Sequence, residues 1–432
     1  MTAEIAIMNR NAIVLAADSA TTVTSWNNGQ VEKRYFKGAN KLFELTRHSP
    51  VGLMIYGSAS LHGVPWELVI KAFREDLKSE KHDALHGYAA HFFEYVQRNE
   101  RLFPAEAKST ALVELIGGAA FRLQALIATK LGLAEDGPFE GLDEAAVTHA
   151  IDGVEQSLDE RPVDSPLVEA DISAAVASMG EVYKNAVGDR LQLFLQGSPE
   201  VKLLAGRFAE VLIKLALKEF KSYAPLTGIV VAGYGKDDYY PSLEVFQCYG
   251  FIGDRLLFQR SDEESKAMDT TAEAVIQPFA TTSMIETFRF GVSPDIVAGA
   301  FGSIRDTLQS FAKDVVRECE NHSGITDGRL EELVGEAADE HSHAWVNQMR
   351  NMHFLPLSKV IHSLPIQDMA ALAQSLIELE SLKERVTKPS ESVSGPIDVA
   401  VISKHDGFVW LERKHYFRPE LNPRFFNRRD YV

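Results

Sequence analysis

Four residues in the first sixty have the types and the spacing needed to cleave an amide bond: Thr2, Asp18, Lys41 and Gly57. The specificity of methionine aminopeptidase for a small second residue allows removal of Met1. If Met1 is removed, Thr2 holds a hydroxyl nucleophile and an α-amine base with a pKa near ~7.7–8. Such a nucleophile needs a cation to lower these pKa values, a carboxylate to place the cation, and a backbone N–H for the oxyanion. Lys41, Asp18 and Gly57 offer these three groups, so the pattern predicts an N-terminal threonine nucleophile.

Short strands are predicted to position these residues. Runs rich in apolar and β-branched residues predict strands at residues 2–8, 12–17, 41–45 and 51–56. The turn at residues 9–11 makes the second strand antiparallel to the first. Asp18 closes the second strand and Lys41 opens the third, so we expect both to lie beside the Thr2 end of the sheet. Gly57 directly follows the fourth strand.

The remaining chain alternates between helical and strand patterns. Helical spacing begins at Trp66, strand character returns at residues 227–259, and a hairpin over 397–411 closes the pattern. This order predicts an α+β fold, a four-layer αββα sandwich of two mainly antiparallel sheets with helical insertions. We expect one domain over residues 1–412, helical insertions at 105–223 and 300–360, and a C-terminal arm at 413–432.

Composition limits the partners and the compartment. The chain has 44 basic and 61 acidic residues, and the resulting net charge of −17 disfavours binding to nucleic acid or to an anionic membrane. No run approaches the ~18 apolar residues of a membrane span, and the N-terminus lacks a signal peptide. The two cysteines have no disulfide or zinc-ribbon spacing. A cytoplasmic protein is therefore expected.

Several segments resemble a known family. Residues 2–18 are similar to the opening of proteasome β-type subunits and of the bacterial HslV peptidase, with threonine and aspartate at the same separation. Residues 37–43 resemble the family's catalytic-lysine segment, residues 52–60 resemble its oxyanion-glycine segment, and residues 394–407 resemble its penultimate hairpin. The resemblance covers about half of the chain.

The resemblance implies an N-terminal nucleophile (Ntn) hydrolase fold and a threonine peptidase. It makes Thr2 the nucleophile, Asp18 and Lys41 the pair that tunes it, and Gly57 the oxyanion donor. The implied substrate is an unfolded polypeptide or peptide, the implied assembly is a homo-oligomeric ring, and the implied partner is an AAA+ ATPase. The acyl-threonine chemistry needs no metal and no organic cofactor.

The resemblance also implies supporting residues. Ser394 and Glu391 are similar to the family's Asp-x-x-Ser element, with glutamate in place of aspartate. Thr282 or Ser283 is a candidate for a further supporting serine, although the flanking glycines expected there are absent.

Other interpretations stay open. A retained Met1 would favour a non-catalytic sandwich that serves as an assembly or binding module, because an acylated amine cannot act as a base. A closed, narrow pocket would instead indicate hydrolysis of a small amide. His341, His343 and His353 lie near two glutamates without HExxH spacing, which favours a solvated helix face over a metal site.

Overall fold

A computed structural model describes residues 2–27, 30–134, 143–194, 201–318, 326–388 and 393–427. The strands are β1 (Ala3–Met8), β2 (Ala12–Ala17), β3 (Thr21–Asn27), β4 (Gln30–Phe36), β5 (Leu42–Glu44), β6 (Val51–Gly57), β7 (Ser60–Leu61), β8 (Val64–Pro65), β9 (Thr227–Gly233), β10 (Ser242–Ile252), β11 (Arg255–Ala267), β12 (Val275–Ala280), β13 (Asp398–Ser403) and β14 (Gly407–Glu412).

The helices are α1 (Trp66–Leu77), α2 (Leu85–Arg98), α3 (Ala105–Gly118), α4 (Ala120–Lys130), α5 (Glu144–Asp159), α6 (Glu169–Phe194), α7 (Val201–Lys218), α8 (Phe220–Tyr223), α9 (Ser283–Phe290), α10 (Pro294–Glu318), α11 (Asp327–Met349), α12 (Leu355–His362), α13 (Ile366–Thr387) and α14 (Pro423–Asn427). A π-helical turn, Arg350–Phe354, joins α11 to α12, and a 3-10 turn, Pro419–Leu421, precedes α14.

The first sheet contains the first and the last strands of the described chain. Its five strands run in the order β12-β1-β2-β13-β14, and every neighbouring pair is antiparallel. All residues of β1, β2 and β13 are buried, which is why β2 reads as an almost unbroken apolar run. Asn9 fixes the turn between β1 and β2, because its side-chain oxygen accepts hydrogen bonds from the backbone N–H groups of Asn11 and Ala12.

The second sheet has the order β11-β10-β9-β6-β5 and is also antiparallel throughout. Its central strand β9 is buried along its whole length. Two small hairpins, β3–β4 and β7–β8, stand apart from both sheets.

Three hydrophobic clusters hold these elements together. One cluster contains Leu15 of the first sheet and Met54 and Val230 of the second, so the two sheets share a core. A second cluster joins the first sheet to α9, α12 and α13, and a third joins the second sheet to α1 and α2. Each sheet therefore packs against the other sheet in one cluster and against helices in another.

The helices between residues 105 and 223 form a cluster of their own. Apolar residues of α3 to α8 pack together and against Tyr249, Ile252 and Leu257 of the second sheet. Within the described residues, one helical stretch, Ala105–Lys130, is long and apolar enough to cross a membrane by length and composition alone. Leu112, Ile116 and other residues of that stretch are buried in this cluster.

The α+β fold with antiparallel sheets is confirmed, and the structure also shows which sheet holds Lys41. Lys41 does not belong to the sheet of Thr2: it precedes β5, which pairs with β6 in the second sheet. Two elements were also missed, the hairpin β3–β4 and the strand β12 beside β1.

Replacing Leu15 with Ala is expected to lower the free energy of unfolding by about 2–5 kcal/mol, because it opens a cavity where the two sheets meet. Urea unfolding of the purified variant measures this. Leu421→Ala is the matched control, since Leu421 is 74% exposed and its loss should change stability by less than about 0.5 kcal/mol. Equal effects of the two substitutions would contradict the shared core.

Candidate active site

Thr2 lies directly before β1 and is almost completely buried, with 7% of its surface exposed. Its hydroxyl donates a hydrogen bond to Glu4 Oε2 at 3.1 Å. Its carbonyl accepts from the backbone N–H of Thr281 at 2.9 Å, just beyond the end of β12. The start of the chain is thus held by hydrogen bonds on both its side chain and its backbone.

Lys41 places a buried ammonium group between two carboxylates. Its Nζ lies 3.0 Å from Glu4 Oε1 and forms a hydrogen-bonded ion pair with Asp18 Oδ1. Its carbonyl accepts from the backbone N–H of Ile55 in β6, which fixes the residue at the edge of the second sheet. The lysine therefore reaches across from one sheet to carboxylates carried by the other.

Asp18 is tied down by three backbone donors besides Lys41. Its Oδ1 accepts from the N–H of Ala3 at 3.1 Å, and its Oδ2 accepts from the N–H groups of Ala20 at 3.1 Å and Ser394 at 2.9 Å. Its own N–H donates to the Ala3 carbonyl. Asp18 thus connects the start of β1, the end of β2 and the segment that leads into β13.

Glu4 is the site residue that the sequence analysis missed. Side chains two apart on a strand share a face, so Glu4 lies beside Thr2, and it has no exposed surface. Burial raises the pKa of Glu4 from its ordinary value of 4.5 to about 7, against the lowering effect of Lys41 and with a further increase from the Asp18 charge. Glu4 Oε1 forms the ion pair with Lys41 but accepts no hydrogen bond within the described chain.

Gly57 ends β6 in a conformation that only glycine adopts without strain. Its φ is +79°, and a Cβ at this position would lie 2.5 Å from the carbonyl oxygen of Leu226. The turn after it is braced by a chain of hydrogen bonds: Trp66 Nε1 donates to Thr227 Oγ1, which donates to the Ser58 carbonyl. These hydrogen bonds hold Gly57 in place at the end of β6.

Thr2, Lys41 and Gly57 line one small pocket of about 20 Å³. Ala20, Thr21, Tyr56 and residues around Asn40 and Ser58 complete its wall. The three predicted residues that need access to a substrate thus face a common space, while Asp18 and Glu4 lie buried behind it.

Of the predicted supporting residues, Ser394 contacts the ion cluster and Ser283 contacts α13. Ser394 meets the cluster through its backbone N–H on Asp18. Ser283 is directed elsewhere, since its hydroxyl donates to Glu380 Oε1 at 3.1 Å and accepts from Lys383 Nζ at 2.9 Å, both in α13. Thr282 precedes α9 without a capping hydrogen bond from its side chain. Glu391 lies outside the described residues.

Comparison with known proteins adds little to this geometry. No family model and no curated protein matches the chain. Among solved structures, it is similar to the Anbu (Gly-1) mutant from Hyphomicrobium sp. strain MC1 at 11% identity, with a TM-score of 0.24 and coverage of 100% of this chain and 98% of that chain. A TM-score this low carries no argument about fold or activity.

The inferred membership of the proteasome β-type and HslV family is therefore wrong. No family model and no curated protein matches the chain. The similar solved structure is an Anbu protein. The motifs that suggested the family are short, and they specify the chemistry of a site without specifying kinship of the whole chain.

Removing the carboxyl of Glu4 should change how stability depends on pH. The folded protein retains a proton on Glu4 between about pH 4.5 and pH 7 that the unfolded chain has released, so its free energy of unfolding falls as the pH rises through this range. Across this pH range, the free energy of unfolding of the wild type should fall by about 1–3 kcal/mol more than that of Glu4→Gln. Urea unfolding of both proteins at pH 5, 6, 7 and 8 measures the difference; parallel pH profiles would contradict a raised pKa.

Proposed function

We propose that this protein is a threonine-type N-terminal nucleophile hydrolase that cleaves peptide bonds through an acyl-threonine intermediate. The observation that carries the proposal is the hydroxyl of Thr2, hydrogen-bonded to the buried Glu4 carboxyl beside the Lys41–Asp18 ion pair. An acyl-transfer nucleophile needs a nearby proton acceptor and a fixed positive charge, and this cluster offers both.

In the proposed reaction, Met1 is first removed so that the α-amine of Thr2 is free. Thr2 Oγ1 attacks the carbonyl carbon of the substrate, and its proton passes to the α-amine; Glu4, when deprotonated above about pH 7, is a second acceptor at 3.1 Å. The backbone N–H of Gly57 stabilises the oxyanion, and the ammonium of Lys41 stabilises the charge that develops at the nucleophile.

The intermediate then breaks down in two steps. The C–N bond of the substrate breaks, and the leaving amine takes the proton held by the base. Water next attacks the threonine ester, the base accepts a proton from it, and the acid product leaves with Thr2 Oγ1 protonated again.

We also propose a finer assignment of the fold. The two sheets, which share a core and are each covered by helices, support a four-layer αββα sandwich of the Ntn hydrolase type. In this assignment residues 1–412 form one domain, residues 105–223 and 300–360 are helical insertions, and residues 413–432 are a C-terminal arm. The separate core of the first insertion supports its treatment as an addition to the sandwich.

A second candidate function is the hydrolysis of a small amide. The narrowness of the pocket beside Thr2 favours it over an extended peptide-binding cleft. Measuring turnover of short peptides and of small acyl amides with the same preparation distinguishes a peptidase from a small-amide hydrolase. The peptide substrate, the homo-oligomeric ring, the AAA+ ATPase, the absence of nucleic acid and membrane partners and the cytoplasmic location remain predictions.

Thr2→Ala should abolish hydrolysis and leave the fold intact, because only the nucleophilic oxygen and a methyl group are lost. The measurement is the intact mass of the purified protein with and without a β-lactone or epoxyketone, together with peptidase turnover. The wild type should lack Met1 and gain one adduct on Thr2. Thr21→Ala is the matched control, since Thr21 lines the same pocket from β3; undiminished turnover by Thr2→Ala would remove Thr2 from the mechanism.

Lys41→Ala should slow acylation by about 100-fold or more, because it removes the fixed charge beside the nucleophile. It should also destabilise the protein by about 3–5 kcal/mol, since it leaves two buried carboxylates without their cation. Lys41→Arg keeps the charge and separates the two effects. If Lys41→Ala remained folded with unchanged turnover, the lysine would be structural only.

A further inference from the structure

Two histidines and a glutamate that take no part in the candidate active site lie close to one another. His82 and Glu80 lie in the loop between α1 and α2, and His91 lies on α2. His82 Nε2 is 3.2 Å from His91 Nδ1, and Glu80 Oε1 is 3.9 Å from each of these nitrogens. The three potential ligand atoms lie within 4.8 Å of one another.

We propose that Glu80, His82 and His91 bind a zinc ion. Two imidazole nitrogens on a tetrahedral zinc, each ~2.0–2.1 Å from the metal, stand about 3.4 Å apart, close to the separation of these two. A carboxylate is a usual third ligand, with water at the fourth position. Glu80 lies too far away to hydrogen-bond to either ring, and it must approach by about half an ångström to share an ion with them.

The rings are held in place before any metal arrives. His82 packs edge-on against Tyr88 with ring centroids 4.7 Å apart, and His91 packs edge-on against Phe73 at 5.3 Å. Gly87 leaves room for this arrangement, because a Cβ at that position would lie 2.7 Å from Cβ of His82. Fixed ring orientations reduce the conformational entropy that binding would otherwise cost.

The loop that carries two of the ligands is also anchored on its other side. The carbonyls of His82 and Asp83 accept hydrogen bonds from the backbone N–H groups of Lys236 and Asp237, which follow β9. The side chains of His82, His91 and Glu80 are 22%, 23% and 57% exposed, so an ion reaches them from solvent. Glu80, the most exposed of the three, is free to close on the ion.

Imidazole and carboxylate ligands suit zinc better than the hard cations Mg²⁺ and Ca²⁺, which prefer oxygen alone. The sequence alone does not reveal this site. The spacings of two residues from Glu80 to His82 and nine from His82 to His91 match no familiar zinc-binding motif. The fold brings them together at the junction of α1 and α2.

Isothermal titration of the full-length, tag-free protein with zinc chloride, after chelator treatment, tests the proposal. We expect one zinc ion per chain, and Co²⁺ in its place should give the visible absorption of a tetrahedral site. His82→Gln and His91→Gln should each weaken zinc binding by at least ~10-fold, the loss already seen when only an outer partner of a metal ligand is removed. Glu80→Gln should weaken it without disturbing the core, since Glu80 is largely exposed.

His86→Gln is the matched control. His86 lies four residues from His82, is 67% exposed and pairs with Glu244, so its loss should leave zinc binding unchanged. Circular dichroism checks that each variant is folded. Absence of zinc binding by the wild type, or equal affinity in the wild type, His91→Gln and Glu80→Gln, would overturn the proposal.

Discussion

The ion cluster of Lys41, Asp18 and Glu4 is the interaction on which the candidate active site depends. Taking an ammonium and two carboxylates out of water costs several kcal/mol per ion, and their mutual attraction offsets that cost only when the geometry is good and the remaining lone pairs are satisfied. Asp18 meets this condition with three backbone donors. Glu4 has no backbone donor of this kind and is fully buried, and burial raises its pKa to about 7. Below that pH Glu4 retains a proton, which leaves the cluster with one ammonium and one carboxylate.

This cluster also ties the fold to the site. The carboxylates belong to the first sheet and the ammonium to the second, so the position of Thr2 relative to Gly57 depends on how the two sheets pack. The shared core between the sheets supplies the rigidity that this requires, since close-packed interiors tolerate little displacement. Thr281 and Ser394 complete the frame from opposite sides of β1 and β2.

Local patterns predicted the strands near the site, and longer-range pairings account for the errors. β2 was found because a strand buried on both faces reads as an apolar run. β12 was missed because Pro278 breaks its pattern, and it occupies a sheet edge, where proline is tolerated. The hairpin β3–β4 is polar, and Asn28-Gly29 was the signal that would have found it. The sequence did not indicate that Lys41 and Thr2 belong to different sheets, because proximity in sequence does not determine which strands pair.

Glu4 escaped notice for a different reason. Thr2 to Met8 reads as an alternating strand, and alternation ordinarily places its polar residues towards solvent. Here both faces of β1 are covered, so the acidic residue lies in the interior and takes part in the site. The signal for Glu4 is a carboxylate on a strand whose other residues are all buried. It can be recognised only when the positions of the second sheet and of Lys41 are known.

Helix α1 connects the candidate active site with the proposed zinc site. It begins at Trp66, whose indole braces the turn after Gly57, and it ends beside the loop of Glu80 and His82, 12 residues or about 18 Å away. Coupling between two sites requires an element with two discrete arrangements. The inner face of α1, including Trp66 and Phe73, is packed into a single core against the second sheet. Because this packing joins α1 closely to the sheet, we expect zinc at the proposed site to stabilise the loop and the helix rather than to change the proposed chemistry at Thr2.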